Sequence, residues 1–315
     1  MQKILRPFKG CCVGRGEPTS TMKTNTLPNI EEIRTHVRER YGAIAEQAGE
    51  DCGCAPTCCT PAGSAKQPKP GATAPQSCCS TAAGGDSYGE KLGYSADELN
   101  AAPAGSELGL GCGNPLAIAS IKPGETVLDL GSGAGFDCFL AARQLAGTGR
   151  VIGVDMTPAM ITKARANAAK GGYPNPPQPG RTSVEFRLGE IEALPVADAS
   201  VDLILSNCVI NLSPEKERVF REAFRVLKPG GRLALADIVA TQPVPLTLRG
   251  KLDAIGACVG GAALVDDLRT MLTQAGFAKV EIVLKEASRE LIRQWTDDAA
   301  AGDFVVSALI TAHKA

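Results

Sequence analysis

The sequence predicts an α/β protein whose core is a doubly wound, mostly parallel sheet of seven strands. Short, nearly continuous apolar segments alternate with helix-like stretches from Lys122 onward, a pattern typical of a parallel sheet covered on both faces. A glycine-rich turn, Gly131–Gly135, follows the first apolar segment, and Asp155 ends the second. Turns and acids at these positions are typical of nucleotide-binding sheets.

Seven segments have the length and apolar character of strands. They are Thr126–Leu130, Val151–Val154, Val184–Leu188, Val201–Ser206, Arg232–Ala236, Lys279–Leu284 and Phe304–His313. A helix is predicted over Val265–Ala275, before the sixth strand. This order resembles the Rossmann-like sheet of class I methyltransferases, which implies that the last strand runs antiparallel.

Composition divides the chain into four segments. We expect a disordered N-terminus at 1–28, a helix at 29–50, a flexible Cys/Pro/Gly-rich segment at 51–90, and at 91–315 the domain that holds the sheet, in which 241–264 covers the active site. In the helix, Asn29 and Glu32 have the spacing of a capping box. Residues 51–85 contain too few large apolar side chains to build a core.

The overall composition gives no reason to expect nucleic acid or a membrane as partner. The formal net charge is −1, and no apolar run reaches the roughly 18 residues that span a bilayer. The N-terminus lacks the apolar core of a signal peptide, so we expect a cytoplasmic protein. We also expect it to be a monomer. Twelve cysteines in a reducing compartment favour metal, metalloid or redox chemistry over structural disulfides.

The glycine-rich turn favours S-adenosylmethionine as the cofactor. Gly131, Gly133 and Gly135, with Ser132 among them, allow a tight turn and close approach of a ligand to the backbone. A dinucleotide site would have Gly-x-Gly-x-x-Gly, whereas here the third glycine comes one residue early. The turn therefore fits a cofactor that has no pyrophosphate.

Further residues at the ends of the strands complete the predicted cofactor site. Asp155, with Met156 beside it, is placed to accept hydrogen bonds from ribose hydroxyls. Glu190 and Ile191 follow the third strand, where class I methyltransferases place the adenine, and Asn207 ends the fourth strand.

The cysteine-bearing motifs resemble arsenite S-adenosylmethionine methyltransferases. They are Gly111-Cys112-Gly113-Asn114-Pro115, Ser206-Asn207-Cys208-Val209-Ile210-Asn211-Leu212 and Gly256–Gly261. The resemblance covers roughly residues 100–285 and implies that up to three cysteine sulfurs hold arsenite while it is methylated, for detoxification. Carried across, it assigns Cys208 and Cys258 as the core arsenic ligands and Cys112 as a third.

The remaining cysteines have weaker assignments. Family members have a further cysteine upstream of the one that Cys112 matches, and Cys78 and Cys79 are the nearest candidates here. The Cys52, Cys54, Cys58 and Cys59 cluster lacks the paired spacing of a closed zinc site, so zinc and preliminary metalloid capture both stay open. Cys138, in the helix after the glycine turn, is expected to be a core residue.

Two rival functions remain open at this stage. The first is a methyltransferase for a carbon or oxygen acceptor such as a quinone or sterol, in which the cysteines are incidental. The second is a non-catalytic protein that binds metalloids through thiols. Methylation itself makes arsenic formally pentavalent, so repeated turnover predicts a thiol reductant, thioredoxin or glutathione.

Overall fold

The computed structural model describes residues 27–47, 87–175, 177–295 and 300–315. Within them the seven strands are β1 Thr126–Leu130, β2 Arg150–Asp155, β3 Ser183–Leu188, β4 Val201–Asn207, β5 Leu227–Ala240, β6 Ala278–Lys285 and β7 Val305–His313. The helices are α1 Ile30–Gln47, α2 Tyr88–Lys91, α3 Ala96–Ala101, α4 Leu116–Ala119, α5 Phe136–Gln144, α6 Pro158–Lys170, α7 Lys216–Val226, α8 Leu246–Arg249, α9 Leu252–Gly256, α10 Val265–Gln274, α11 Ser288–Ile292 and α12 Ala301–Phe304. A 3₁₀ turn spans Ile210–Leu212.

The strands form one sheet in the order β3-β2-β1-β4-β5-β7-β6. The first five strands pair in parallel, and β7 runs antiparallel to both of its neighbours. The predicted doubly wound sheet with an antiparallel last strand is thereby confirmed. Because β1 and β4 lie side by side at the centre, their carboxyl ends open a crevice at the point where the strand order reverses.

Both faces of the sheet are buried, which explains the nearly continuous apolar strands. Leu128, Ile152 and Ile204 pack on one face with residues of α7 and α10. Their neighbours Val127, Val151 and Leu203 pack on the other face with α5 and α6. A strand covered on two sides has no solvent face to leave polar.

The fifth strand extends beyond both ends of the predicted segment Arg232–Ala236. At its start, Gly230 donates to the carbonyl of Lys314 at 2.9 Å, and Lys314 donates to that of Gly231 at 2.8 Å. At its end, Ala240 is paired with Val305 of β7. Antiparallel pairing with the last strand therefore overrides the turn signal of Pro229-Gly230-Gly231.

Helix α1 packs across the carboxyl edge of the sheet. Its capping box is formed, since Asn29 Oδ1 accepts from Glu32 N at 2.9 Å and Glu32 Oε2 accepts from Asn29 N at 2.8 Å. The helix contacts α6, α9 and the 3₁₀ turn. It thereby spans the crevice from the β2 side to the side that carries Cys258.

Among the described residues, no helix is both long and apolar enough to cross a membrane. Residues 1–26 and 48–86 lie outside the described part of the chain. The predicted roles of six cysteines therefore stay predictions, because these residues lie outside the described part: Cys52, Cys54, Cys58, Cys59, Cys78 and Cys79.

Candidate active site

A cavity of about 330 Å³ lies at the carboxyl ends of β1, β2 and β4. Gly131, Ser132 and Gly133 of the glycine turn line it, as do Cys208 and Cys258. The predicted cofactor end and the predicted thiol end are therefore two parts of one space. Open α/β sheets bind their ligands at this topological position.

The glycine turn depends on conformations that favour glycine. Gly131 has φ of +67°, and a Cβ there would overlap the side chain of Val209. Gly133 donates its backbone N–H to Asp155 Oδ2 at 3.0 Å. Gly135 does not line the cavity; a Cβ on it would lie 2.7 Å from the Phe186 ring and 2.8 Å from the Phe139 ring, so this glycine makes room for the two aromatic side chains.

Asp155 is oriented by backbone amides. Its Oδ1 accepts from Thr157 N at 2.8 Å, while Oδ2 accepts from Gly133 N. Burial raises the pKa of Asp155, and the two amide bonds oppose that shift. The side chain lines the cavity and has lone pairs left for a ligand hydroxyl.

The other predicted cofactor residues differ in position. Met156, Ile191 and Asn207 line the cavity. Glu190 does not: its carboxylate faces α1, with Oε2 3.7 Å from Arg34 Nη2 and Oε1 3.7 Å from Arg38 Nη2.

The lining fits S-adenosylmethionine. Ser132 Oγ is buried and has no hydrogen-bond partner in the protein. The carboxyl groups of Asp129 and Asp137 also line the cavity, and burial raises the pKa of Asp137 to about 6. An unpaired hydroxyl and a group of acids suit a ligand that carries hydroxyls, an ammonium group and a sulfonium group.

A hydrogen-bond network joins this acidic end to the loop that carries Cys112. The Tyr94 hydroxyl donates to Asp137 Oδ1 at 2.6 Å. Asn207 Nδ2 lies 2.9 Å from the Tyr94 hydroxyl and 2.8 Å from the carbonyl of Gly113. Asn207 Oδ1 accepts from Cys112 N at 3.0 Å. Asn207 is thus in contact with both ends of the site.

The three predicted arsenic ligands come together. The Sγ atoms of Cys112 and Cys208 lie within 4.8 Å of each other. Cys258 Sγ donates to the Cys208 carbonyl at 2.9 Å. Cys208 and Cys258 line the cavity, whereas Cys112 is 5% exposed and does not line it.

Two of these cysteines have an unusual backbone conformation. Cys208 has φ of +61° and Cys258 has φ of +62°, a region that residues other than glycine rarely adopt. Such conformations cost of order 1–3 kcal/mol and persist where the surroundings fix them, often at functional sites. Here both residues with this conformation line the cavity.

Asp237, on β5, is an acidic neighbour of the thiols that the sequence argument missed. One of its carboxylate oxygens and the Sγ atoms of Cys112 and Cys208 all lie within 4.8 Å of one another. The backbone N–H groups of Ile210 and Ile238 hold the carboxylate at 2.9 and 2.7 Å. A lone acid within an apolar strand was the signal that could have identified it.

The surroundings favour the protonated thiols. Burial raises the pKa of Cys112 to about 11. The contact with Cys112 raises the pKa of Cys208, and the contact with Cys208 raises that of Cys258, with burial adding to both. Near neutral pH all three are therefore thiols in the free protein.

These shifts predict a slow, strongly pH-dependent alkylation of Cys112. Below a thiol's pKa the thiolate fraction rises about tenfold per pH unit, and only the thiolate reacts. Modification of Cys112 by iodoacetamide, followed by peptide mass spectrometry, should thus rise from about pH 7 to about pH 10 without a plateau. The urea-unfolded chain is the control, and a plateau near about pH 8.5 in the folded protein would contradict the prediction.

Helix α1 forms one wall of the cavity through Val37, Tyr41 and Ile44. The Tyr41 hydroxyl donates to the Gly256 carbonyl at 3.2 Å, two residues before Cys258. Arg34 Nη2 lies 2.8 Å from Glu215 Oε2 and 3.7 Å from Glu192 Oε1. These contacts attach α1 to both the thiol end and the loop after β3.

Cys138 is a core residue, as expected. It is fully buried on α5, where its Sγ donates to Asp129 Oδ2 at 3.2 Å. Its position beneath the glycine turn keeps it apart from the three converging thiols.

The chain is similar in sequence to known methyltransferases. A family model described as a methyltransferase domain matches residues 121–276. The arsenite methyltransferase of Halobacterium salinarum is 51% identical over 286 residues, which make up 90% of this chain and 67% of that protein. The arsenite methyltransferase of Aquipseudomonas alcaligenes is 41% identical over 180 residues, covering 55% of this chain and 49% of that protein.

Among solved structures, the arsenic(III) S-adenosylmethionine methyltransferase of Chlamydomonas reinhardtii is similar over 73% of this chain and 74% of that chain. The identity is 30% and the TM-score is 0.49. Because the 51% identity to the Halobacterium protein extends over 90% of this chain, the chain belongs to the arsenite methyltransferase family.

Proposed function

We propose that this protein methylates trivalent arsenic held by Cys112, Cys208 and Cys258. One observation carries the proposal: Cys208 and Cys258 line one end of the cavity, with Cys112 Sγ within 4.8 Å of Cys208 Sγ, and the glycine turn and Asp155 form the other end. Soft thiolates select soft centres such as trivalent arsenic. A carbon or oxygen acceptor gives no reason to gather three thiols there.

Arsenite binding would replace three As–O bonds with As–S bonds. Each thiol proton leaves with a hydroxide as water, so neutral arsenous acid and three neutral thiols give a neutral tris-thiolate and three waters. The raised thiol pKa values suit this exchange, since no net charge has to be buried. The arsenic keeps its lone pair, and no side chain has to act as a general base.

The chain's own residues would bind and orient the cofactor. We infer that Asp155 accepts the ribose hydroxyls, while Asp129 and Asp137 face the positively charged part. When bound, S-adenosylmethionine supplies an electrophilic methyl group, to which the arsenic lone pair forms a bond while the methyl–sulfur electron pair stays on sulfur. Holding the two ends of one cavity in line is the main catalytic contribution of the protein.

Apolar side chains would keep water away from the arsenic. The thiols pack in a cluster with Ile238, Val259 and Val305, and Trp295 lies against this cluster and lines the cavity. Helix α1 covers the opening from the other side. A dry site protects the As–S bonds from exchange with water.

We further propose a thiol reductant, a monomeric state and a cytoplasmic location. Methyl transfer leaves arsenic formally pentavalent, so its return to the trivalent state takes two electrons. Two thiols supply them on forming a disulfide, and thioredoxin or glutathione are the cytoplasmic sources. Cys78 and Cys79 stay candidates for a further thiol in this exchange.

The experiment that tests the function incubates the purified protein with arsenite, labelled S-adenosylmethionine and a thiol, and then separates the arsenic species. Labelled methylated arsenic is expected, and it should be absent without the protein. Binding of arsenite without any methylated product, together with no calorimetric binding of S-adenosylmethionine, would instead identify a metalloid-binding protein.

A further inference from the structure

We propose that Ser307, on β7, is a positioning residue that fixes Cys112 for capture of arsenite by three thiols. The inference rests on the proposed function, in which Cys112 is the third arsenic ligand. It concerns a residue that neither lines the cavity nor lies near the thiols in sequence.

Ser307 is buried in the sheet and is hydrogen-bonded through both its backbone and its side chain. It is 2% exposed and pairs with Ile238 of β5 in the antiparallel part of the sheet. Its backbone N–H donates to Ser288 Oγ at 2.8 Å. Its hydroxyl donates to the carbonyl of Cys112 at 2.6 Å, across 195 positions of sequence.

Cys112 needs such support because it lies in a segment without regular structure between α3 and α4. Side chains from two strands hold its backbone: Asn207 Oδ1 of β4 accepts from its N–H at 3.0 Å, and Ser307 Oγ of β7 donates to its carbonyl. The next residue lies against the sheet as well, since a Cβ on Gly113 would be 2.9 Å from Ala236 Cβ and 3.7 Å from Ser307 Oγ. The position of the third thiol therefore depends on these two side chains.

Two arsenicals that bind different numbers of thiols can distinguish positioning of Cys112 by Ser307 from a general effect of Ser307 on stability. Arsenite has three exchangeable hydroxyls and can take all three cysteines. A phenyl-substituted trivalent arsenical has only two, which Cys208 and Cys258 satisfy from within the cavity. A defect confined to Cys112 should weaken arsenite binding and leave phenylarsenite binding almost unchanged.

The test compares Ser307→Ala, Ser307→Thr and Cys112→Ser with the unaltered protein. The single tryptophan of the chain, Trp295, lines the cavity, so its fluorescence can report the binding of both arsenicals. Thr182→Val is the matched control, because it removes another buried hydroxyl. Thr182 comes just before β3, away from the thiols, and its Oγ1 donates to the Thr148 carbonyl at 3.1 Å and accepts from Gly147 N at 3.1 Å.

Ser307→Ala leaves the buried Cys112 carbonyl without its donor, and we expect arsenite affinity to fall about tenfold. Phenylarsenite affinity should differ from that of the unaltered protein by less than about twofold, no more than the effect of a typical surface substitution. Ser307→Thr keeps the hydroxyl and should restore arsenite binding. Cys112→Ser should show the same selectivity with a larger loss, while Thr182→Val should show none.

The outcomes distinguish the positioning role of Ser307 from the three-thiol site itself. If Cys112→Ser discriminates between the arsenicals and Ser307→Ala does not, the positioning role is wrong and the three-thiol site stands. If Ser307→Ala weakens both arsenicals equally, its effect is general and the inference is overturned. If Cys112→Ser itself fails to discriminate, the third ligand and the role of Ser307 fall together.

Discussion

Replacing Cys208 with serine is expected to lower the rate of arsenite methylation by more than about 100-fold. Mutating a residue that only supports a metal ligand typically lowers metal affinity or activity by about 10- to 100-fold, and loss of a ligand itself should exceed that range. Cys208 lines the cavity, its Sγ lies within 4.8 Å of Cys112 Sγ, and its carbonyl accepts from Cys258 Sγ, so serine at this position removes a proposed arsenic ligand that is next to the other two cysteines. Serine is similar in size, but its oxygen is a hard ligand that does not compete with water for arsenic. The rate of formation of labelled methylated arsenic measures the effect.

Cys138→Ser is the matched control. It replaces another fully buried cysteine, and the serine hydroxyl can still donate to Asp129. This variant should keep most of its activity. Methylation that survives Cys208→Ser at near the original rate would contradict the thiol mechanism and favour a different methyl acceptor.

Replacing Asp155 with asparagine is expected to weaken binding of S-adenosylhomocysteine about 10- to 100-fold, measured by titration calorimetry. The carboxylate accepts from Gly133 N and Thr157 N and lines the cavity. An amide has a single oxygen, so its nitrogen must face a backbone N–H or a ligand hydroxyl. The variant therefore loses a charged acceptor and one tether of the glycine turn.

Asp198→Asn removes the same charge from an exposed side chain that pairs with Arg225 at 2.5 Å. Cofactor binding should be unaffected in this control. Arsenite binding, followed by Trp295 fluorescence, should persist in Asp155→Asn because the thiols lie at the other end of the cavity. Unchanged cofactor affinity in Asp155→Asn would show that the carboxylate does not contact the ligand.

The sheet was predictable because its signals are local. The predicted segment Thr126–Leu130 matches β1 residue for residue, and the other predicted strands except β5 differ from the observed ones by one residue at one or both ends, because burial on both faces makes these strands mostly apolar. The extension of β5 was not predictable in this way. It depends on pairing with β7, a contact between segments far apart in sequence.

In the candidate site too, the features within one local segment were predictable and those that depend on long-range contacts were not. The glycine turn and Asp155 belong to one β-turn-α-β unit, and the sequence argument placed them from spacing alone. The three thiols were assigned through family resemblance, because no local pattern brings Cys112 to Cys208. Tyr94 and Ser307 were missed since their side chains act through hydrogen bonds to residues far away in sequence.

The single cavity that joins the glycine turn to Cys208 and Cys258 has a consequence for inhibitor chemistry. A nucleoside tethered to an aryl arsenical of the two-thiol type would engage both ends with one molecule. Once either end is bound, the other is presented at the high effective concentration that a short linker provides. Such a conjugate would exploit a combination of pockets that methyltransferases without the paired thiols do not offer.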